Sequence, residues 1–172
     1  MLERVLIAGA GGQGVLLIGK LAARAASGLF PHVALVPGYG AEVRGGTSNC
    51  HLTISSAFIS SPIPEQYDSM LLMNQAGADA FLGRLDKGGV AWINASLCKM
   101  SEAPGLRLIP ATDMANSIGS ARTANFVMLG AWLAHKNLIE AATITQEIMR
   151  QFPDEMGRLN VKALQAGLAW RP

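Results

Sequence analysis

Val5-Leu6-Ile7-Ala8-Gly9-Ala10-Gly11-Gly12-Gln13-Gly14 is the stretch that decides the fold. Four apolar residues run into a Gly-x-Gly-x-x-Gly turn, and Val15, Ile18, Leu21 and Ala22 follow at helical spacing, with Lys20 and Arg24 on the other side and Gly28 as the stop. The reading is strand, tight turn, helix. Glycine lets the backbone pass close to a ligand, and the N–H groups at a helix start carry partial positive charge, so such a turn can cradle an anion. A dinucleotide site also needs a carboxylate about 20 residues further on, at the end of the second strand, to hold the ribose. Here the second strand candidate, His32 to Pro37, is followed by Gly38-Tyr39-Gly40, and the first acid is Glu42, inside a second glycine-rich loop. The turn therefore argues for a Rossmann-like fold more than for NAD.

Working outward, strands and helices alternate. Val33 to Val36 reads as a short buried strand and Thr47 to Ser55 as a half-buried one, with Cys50, Leu52 and Ile54 opposite Asn49, His51 and Thr53. Ser69 to Asn74 predicts a central strand, Ala76 to Leu85 a helix, and Gly89 to Asn94 another strand after Lys87-Gly88-Gly89. Leu106 to Ile109 is a further strand, and Pro110 starts a helix that Gly119 stops. Asn125 to Lys136 is apolar on nearly every face and is expected to be buried, with Asn125 as its N-cap. Thr143-Ile144-Thr145-Gln146 has capping-box spacing, and the last helix spans about Glu155 to Trp170. The expected fold class is α/β: a single three-layer Rossmann-like domain over residues 1–172, its mostly parallel or mixed sheet flanked by helices, with extra helices at the C-terminus.

Composition removes several function classes. Fourteen Lys and Arg against twelve Asp and Glu give a net charge of +2 without a basic run, which gives no support to nucleic-acid binding. Cys50 and Cys98 are far apart and lack any Cys-x-x-Cys or Cys/His spacing, so no iron-sulfur cluster or metal is expected on this chain. The apolar stretch Ala124 to Ala134 is too short for a membrane span, and Met1-Leu2-Glu3-Arg4 reads straight into the first strand, so a cytoplasmic location with no membrane partner is expected. Half the residues are hydrophobic and 15% are charged, a balance that points either to a well-filled core or to a surface covered by partners.

The second glycine loop carries a resemblance. Tyr39-Gly40-Ala41-Glu42-Val43-Arg44-Gly45-Gly46-Thr47-Ser48-Asn49-Cys50, downstream of Gly11-Gly12-Gln13-Gly14-Val15, resembles the gamma subunit of 2-oxoacid:ferredoxin oxidoreductases, most of all the 2-oxoglutarate type. Ile59-Ser60-Ser61-Pro62, Met73-Asn74-Gln75, Ile109-Pro110-Ala111-Thr112 and Ala124 to Gly130 extend the likeness over most of the chain. The resemblance implies a complex that converts a 2-oxoacid, coenzyme A and oxidised ferredoxin to acyl-CoA, carbon dioxide and reduced ferredoxin. It implies thiamine diphosphate, magnesium and iron-sulfur clusters on partner alpha and beta subunits, or on a delta, ferredoxin-like subunit. This chain would be a non-catalytic gamma subunit, inactive alone, that packs on the thiamine subunits and is implicated in closing the coenzyme A site.

The candidate contacts to coenzyme A or a partner subunit are then Gly11, Gly12, Gln13, Gly14, Tyr39, Glu42, Arg44, Gly45 and Gly46, with no catalytic or metal-binding residue. Arg44 has the chemistry for an anion, since guanidinium makes paired hydrogen bonds to phosphate or carboxylate; a local pair with Glu42 is its plainer role. Gln13 reads as a brace of the turn, Tyr39 as a stacking partner or a plug at the core edge, and Cys50 as an inert buried thiol. His51 reads as polar surface, and Asn74 and Gln75 as strand-end residues. The alternative function is a stand-alone Rossmann-like nucleotide-binding module built on the first turn.

Overall fold

The computed structural model describes residues 1–38 and 47–171. Its centre is a six-stranded sheet in the order β2-β3-β1-β4-β5-β6, formed by β1 (Leu2–Gly9), β2 (His32–Gly38), β3 (Ser48–Ser55), β4 (Tyr67–Leu72), β5 (Leu85–Asn94) and β6 (Leu106–Ile109). The strands β1, β4, β5 and β6 are mutually parallel, while β3 runs antiparallel to both β1 and β2. The sheet is therefore mixed, as the sequence allowed.

Period-2 alternation sends Val5 and Ile7 of β1 and Cys50, Leu52 and Ile54 of β3 to one face. There they meet α1 (Val15–Ser27), α3 (Ala111–Ile118), α4 (Ala124–Lys136), α5 (Ala141–Gln151) and α6 (Glu155–Ala169). Leu6, Ala8, Met70, Leu72, Ala91 and Ile93 face the other way, against α2 (Gln75–Phe81) and the segment after β5. These are the three layers. At 13 residues, α4 is buried from Ala124 through Leu133, as its all-round apolar sequence predicts. It lies directly against α6: a Cβ at Gly130 would strike the Leu164 carbonyl, and one at Gly167 the Val127 carbonyl.

Several expectations are corrected. β3 is buried on both faces, because residues 56–66 fold back near the side that alternation left for solvent; Ser55, Ser56, Ala57, Phe58 and Pro64 share a cleft with Thr53 there. His51 is accordingly 5% exposed, not polar surface, and its Nδ1 lies 2.6 Å from the Tyr67 hydroxyl. The helix expected over Ala76–Leu85 ends at Phe81 and passes through a 3-10 turn, Leu82–Arg84, and β5 starts at Leu85 rather than Gly89, so that Lys87-Gly88-Gly89, which reads as a turn, lies within the strand. Thr143 lies inside the first turn of α5, whose N-cap is Glu140, so the capping box is not used. Asn125 is not an N-cap either: Thr123 holds that position.

An ion network of three residues fastens the start of β1 to β4 and β5. Arg4 donates from Nε and Nη2 to Asp68 at 2.8 and 2.6 Å and from Nη2 to Asp86 at 2.7 Å, and its backbone N–H adds a bond to Asp68. Burial alone would push the Asp68 carboxyl up, but the Arg4 bonds together hold it below its usual value.

Candidate functional site

The glycine turn stands at the C-terminal end of β1, and its geometry explains its composition. Gln13 Oε1 accepts from the Ala10 N–H at 2.7 Å while the Gln13 N–H donates to the Ala10 carbonyl at 3.2 Å, so Gln13 braces the turn. Gly12 (φ 86°) and Gly14 (φ 69°) occupy the left-handed region that favours glycine. Gly14 is also the N-cap of α1, and a Cβ on it would fall on Asn125 Nδ2. Gly11 is exposed, and a Cβ there would meet nothing within 4 Å.

Chain direction makes this the switch point of the sheet. From β1 the chain passes through α1 toward β2 at one edge, then returns to place β4 on the other side of β1. Open α/β sheets bind ligands in the crevice outside such strand ends. A cleft of about 220 Å³ lies there, lined by Gly12 and Gln13, by Met73 after β4, by Leu97, by Thr112 of α3, and by Ala121, Arg122, Ala124 and Asn125 at the approach to α4. Among the described residues most of the lining is apolar, and Arg122 is its one formal charge. Among the described residues Arg122 makes no salt bridge.

Two asparagines hold the walls. Asn125 Nδ2 donates to the Gly14 carbonyl at 3.3 Å and joins the start of α4 to the glycine turn. Asn94, fully buried at the end of β5, donates from Nδ2 to the Met73 carbonyl at 3.1 Å and to Thr112 Oγ1 at 2.9 Å. Neither role was read from the sequence, because each partner is distant along the chain: 111 residues for Asn125 and 21 and 18 for Asn94. The Asn74 carboxamide caps α2 through the Gly77 N–H at 2.9 Å, and Gln75 Oε1 accepts from the Lys99 N–H at 2.8 Å, so both are structural at this rim.

Of the nine candidate residues, Gly11, Gly12, Gln13 and Gly14 form the turn, and Gly12 and Gln13 line the cleft. Tyr39, Glu42, Arg44, Gly45 and Gly46 lie outside the described residues, as does the proposed Glu42–Arg44 pair. The flanking strands fix where that loop leaves the sheet. Gly38 pairs with Asn49 across β2 and β3, and Asn49 and Ser48 pair with Ala8 and Gly9 across β3 and β1. Both anchors of the second loop therefore stand at the end of the sheet that carries the glycine turn.

Cys50 is the inert thiol expected: fully buried, 3.7 Å from the Val15 carbonyl, and pushed up to about 12 by burial. Among the described residues no group of three or more His, Cys, Asp or Glu side chains is placed to hold a metal ion, and no helix is long and apolar enough to cross a membrane.

Residues 4–170 match the family model described as pyruvate ferredoxin/flavodoxin oxidoreductase. The chain belongs to that family. It is 35% identical to the ketoisovalerate oxidoreductase subunit VorA of Methanothermobacter marburgensis over 97% of its own length but only 36% of that protein's. It is 30% identical to the 2-oxoglutarate synthase subunit KorC of the same organism, covering 97% of this chain and 95% of the relative. The chain thus spans about a third of the VorA relative and nearly all of KorC. Among solved structures, the gamma subunit of a keto/oxoacid ferredoxin oxidoreductase from Geobacter sulfurreducens superposes with a TM-score of 0.83 at 29% identity, over 96% of this chain and 95% of that one. A 2-oxoglutarate:ferredoxin oxidoreductase from Magnetococcus marinus, solved with 2-oxoglutarate, coenzyme A and succinyl-CoA, shares the fold with a TM-score of 0.85 at 21% identity over 98% of this chain and 30% of that one. The gamma-subunit resemblance carried by the two glycine loops is thereby upheld.

Proposed function

We propose that residues 1–172 act as one gamma-type domain of a multi-subunit 2-oxoacid:ferredoxin oxidoreductase, which converts a 2-oxoacid, coenzyme A and oxidised ferredoxin to acyl-CoA, carbon dioxide and reduced ferredoxin. The observation that carries this reading is the switch-point cleft, flanked by the start of α4 and level with both anchors of the second glycine loop. In the assembled enzyme this rim receives coenzyme A or a partner subunit. Gly11, Gly12 and Gly14 permit close backbone approach, Gln13 keeps the turn in shape, and Tyr39, Glu42, Arg44, Gly45 and Gly46 supply further contacts. Thiamine diphosphate, magnesium and the iron-sulfur clusters belong to alpha, beta and delta partners in the cytoplasm. This chain's part is to bind and orient, and alone it turns over nothing.

The 2-oxoacid proposed is 2-oxoglutarate, in keeping with the KorC relatives that match nearly end to end. A branched 2-oxoacid is the second reading, favoured by the higher identity to VorA. Co-expression with the alpha and beta candidates tests the assignment. Activity that appears with all chains together and is lost when this one is omitted is expected; full activity and unchanged coenzyme A affinity without it would refute the proposal.

A further inference from the structure

The edge opposite β2 has its own chemistry. β6 is the last strand of the sheet. The Gly105 carbonyl accepts from the Ala91 N–H and the Ile109 carbonyl from the Ala95 N–H, both at 2.8 Å. Along a parallel pair every second residue faces its neighbour, so 105, 107 and 109 turn their backbone groups to β5 while Leu106 and Leu108 turn theirs outward. The Leu106 N–H is taken by the Ala103 carbonyl at 3.0 Å. That leaves the Leu106 carbonyl and both Leu108 backbone groups on the outer edge, beside a trough of about 540 Å³ bordered by Glu102, Trp170 and Arg171.

Side chains along β6 alternate in character as well as direction. Leu106 and Leu108 pack on the α2 side of the sheet, whereas Arg107 projects to the helical side. There it lines an adjoining cleft of about 260 Å³ with Trp92, His135, Trp170 and Arg171. Arg171 is fixed by bonds from Nη1 to the Leu168 and Trp170 carbonyls at 2.9 and 2.7 Å. Among the described residues neither Arg107 nor Arg171 forms a salt bridge, while nearby Lys136 is already paired with Glu3 at 2.9 Å. His135, 5.3 Å from the Trp92 ring centre, is held below its usual value by burial and then by Arg107 and Lys136, with Glu3 opposing. The helical side of the edge is cationic and the other side apolar. A short edge with one charge is also how sheets avoid association, but that device needs neither a trough nor a second arginine anchored beside it.

We propose that β6 accepts an extended segment of a partner polypeptide as a seventh strand, with carboxylates alternating toward Arg107 and Arg171 and apolar side chains toward Leu106 and Leu108. Main-chain bonds to the edge supply affinity, and the two sides supply the choice of sequence. This surface runs along the β6 edge, apart from the switch-point cleft, and does not depend on coenzyme A.

The test uses the full chain and a fluorescein-labelled peptide alternating glutamate and valine, read by anisotropy. Three comparisons accompany it: a lysine-valine peptide, a glutamate-valine peptide with alternate amides N-methylated, and the double variant Arg107→Glu/Arg171→Glu. Binding of the glutamate-valine peptide is expected, weaker by about tenfold or more for the N-methylated peptide and for the double variant, with the lysine-valine peptide preferred by the variant. Should the double variant misfold by circular dichroism, the peptide comparisons on the native chain still decide. No binding, or equal binding of the N-methylated peptide with displacement by inorganic phosphate or AMP, overturns the strand assignment; the second result would make the trough an anion site.

Discussion

Replacing Gly130 by alanine is the sharpest trial of the packing, because two effects of known sign compete. In an isolated helix the change stabilises by about 1 kcal/mol, since alanine loses less backbone entropy than glycine. In this molecule the added Cβ lands on the Leu164 carbonyl and within 2.8 Å of the Leu168 N–H. Both obstacles are α6 backbone, so no rotamer change makes room and the two helices must part. At the reciprocal site, Gly167, an added Cβ would meet the Val127 carbonyl and lie 3.0 Å from the Ala131 nitrogen. Overpacking typically costs about 1–3 kcal/mol, and a rigid backbone obstacle belongs at or above the upper end. After subtracting the helix gain, a net loss of about 2 kcal/mol is expected, a fall in Tm of roughly 4–8 °C for a domain of this length. Urea and thermal denaturation of the purified chain measure it. A stability equal to or above the parent would show that α4 and α6 are not in this contact.

Asn125→Ala removes the Gly14 bond and is expected to destabilise by about 1–2 kcal/mol in denaturant titration, whereas loss of a surface N-cap acting only on α4 would leave amide exchange in residues 10–14 unaltered. Cys50 and Cys98, pushed up to about 12 and about 11, mainly by burial, should resist a disulfide reagent at pH 8 and react at the rate of global unfolding; rapid labelling of Cys50 would refute its burial. His51 is held below 6.5 by burial and then by Arg84, so the unfolded chain binds the proton first as pH falls through that value. Its contribution is present above pH 6.5 and is lost progressively as pH falls below that value, and Asp68, also depressed, adds a further loss at lower pH. His51→Gln should flatten the pH 7 to 5 part of the stability curve; an unchanged slope would assign it elsewhere.

How much of the fold is legible in the sequence depends on the range of the interactions that cause it. The strand-turn-helix at Val5–Ser27 and the end of α3 at Gly119 were legible because adjacent residues cause them: Gly119 has φ 128° and stops the helix itself. The buried state of α4 was equally plain, since no face of it offers a polar stripe. Burial of His51 was not legible. Its alternation with Cys50 and Leu52 is correct, but the segment that follows β3 and folds over its outer face carries no periodic signal. Helix starts at Ala124 and Ala141 were misread for a related reason: local capping patterns at Asn125 and Thr143 were set aside by tertiary packing, and for Asn125 by a partner 111 residues away. The glycine turn was legible as a site, whereas the opposite wall, built by Thr112, Ala121 and Arg122, became visible only when the strand ends were placed together.

Under the proposed function, the glycine turn forms one wall of a coenzyme A cleft completed in the assembled enzyme. Gly11→Asp tests it most directly, because Gly11 is exposed with nothing within 4 Å of an added Cβ, so the fold should be kept while a negative charge is set at the rim. In the co-purified complex the KM for coenzyme A should rise about tenfold or more, equivalent to about 1.4 kcal/mol, with the KM for the 2-oxoacid and the Tm unchanged. A KM for coenzyme A that stays at the parent value in a fully assembled complex would contradict the account.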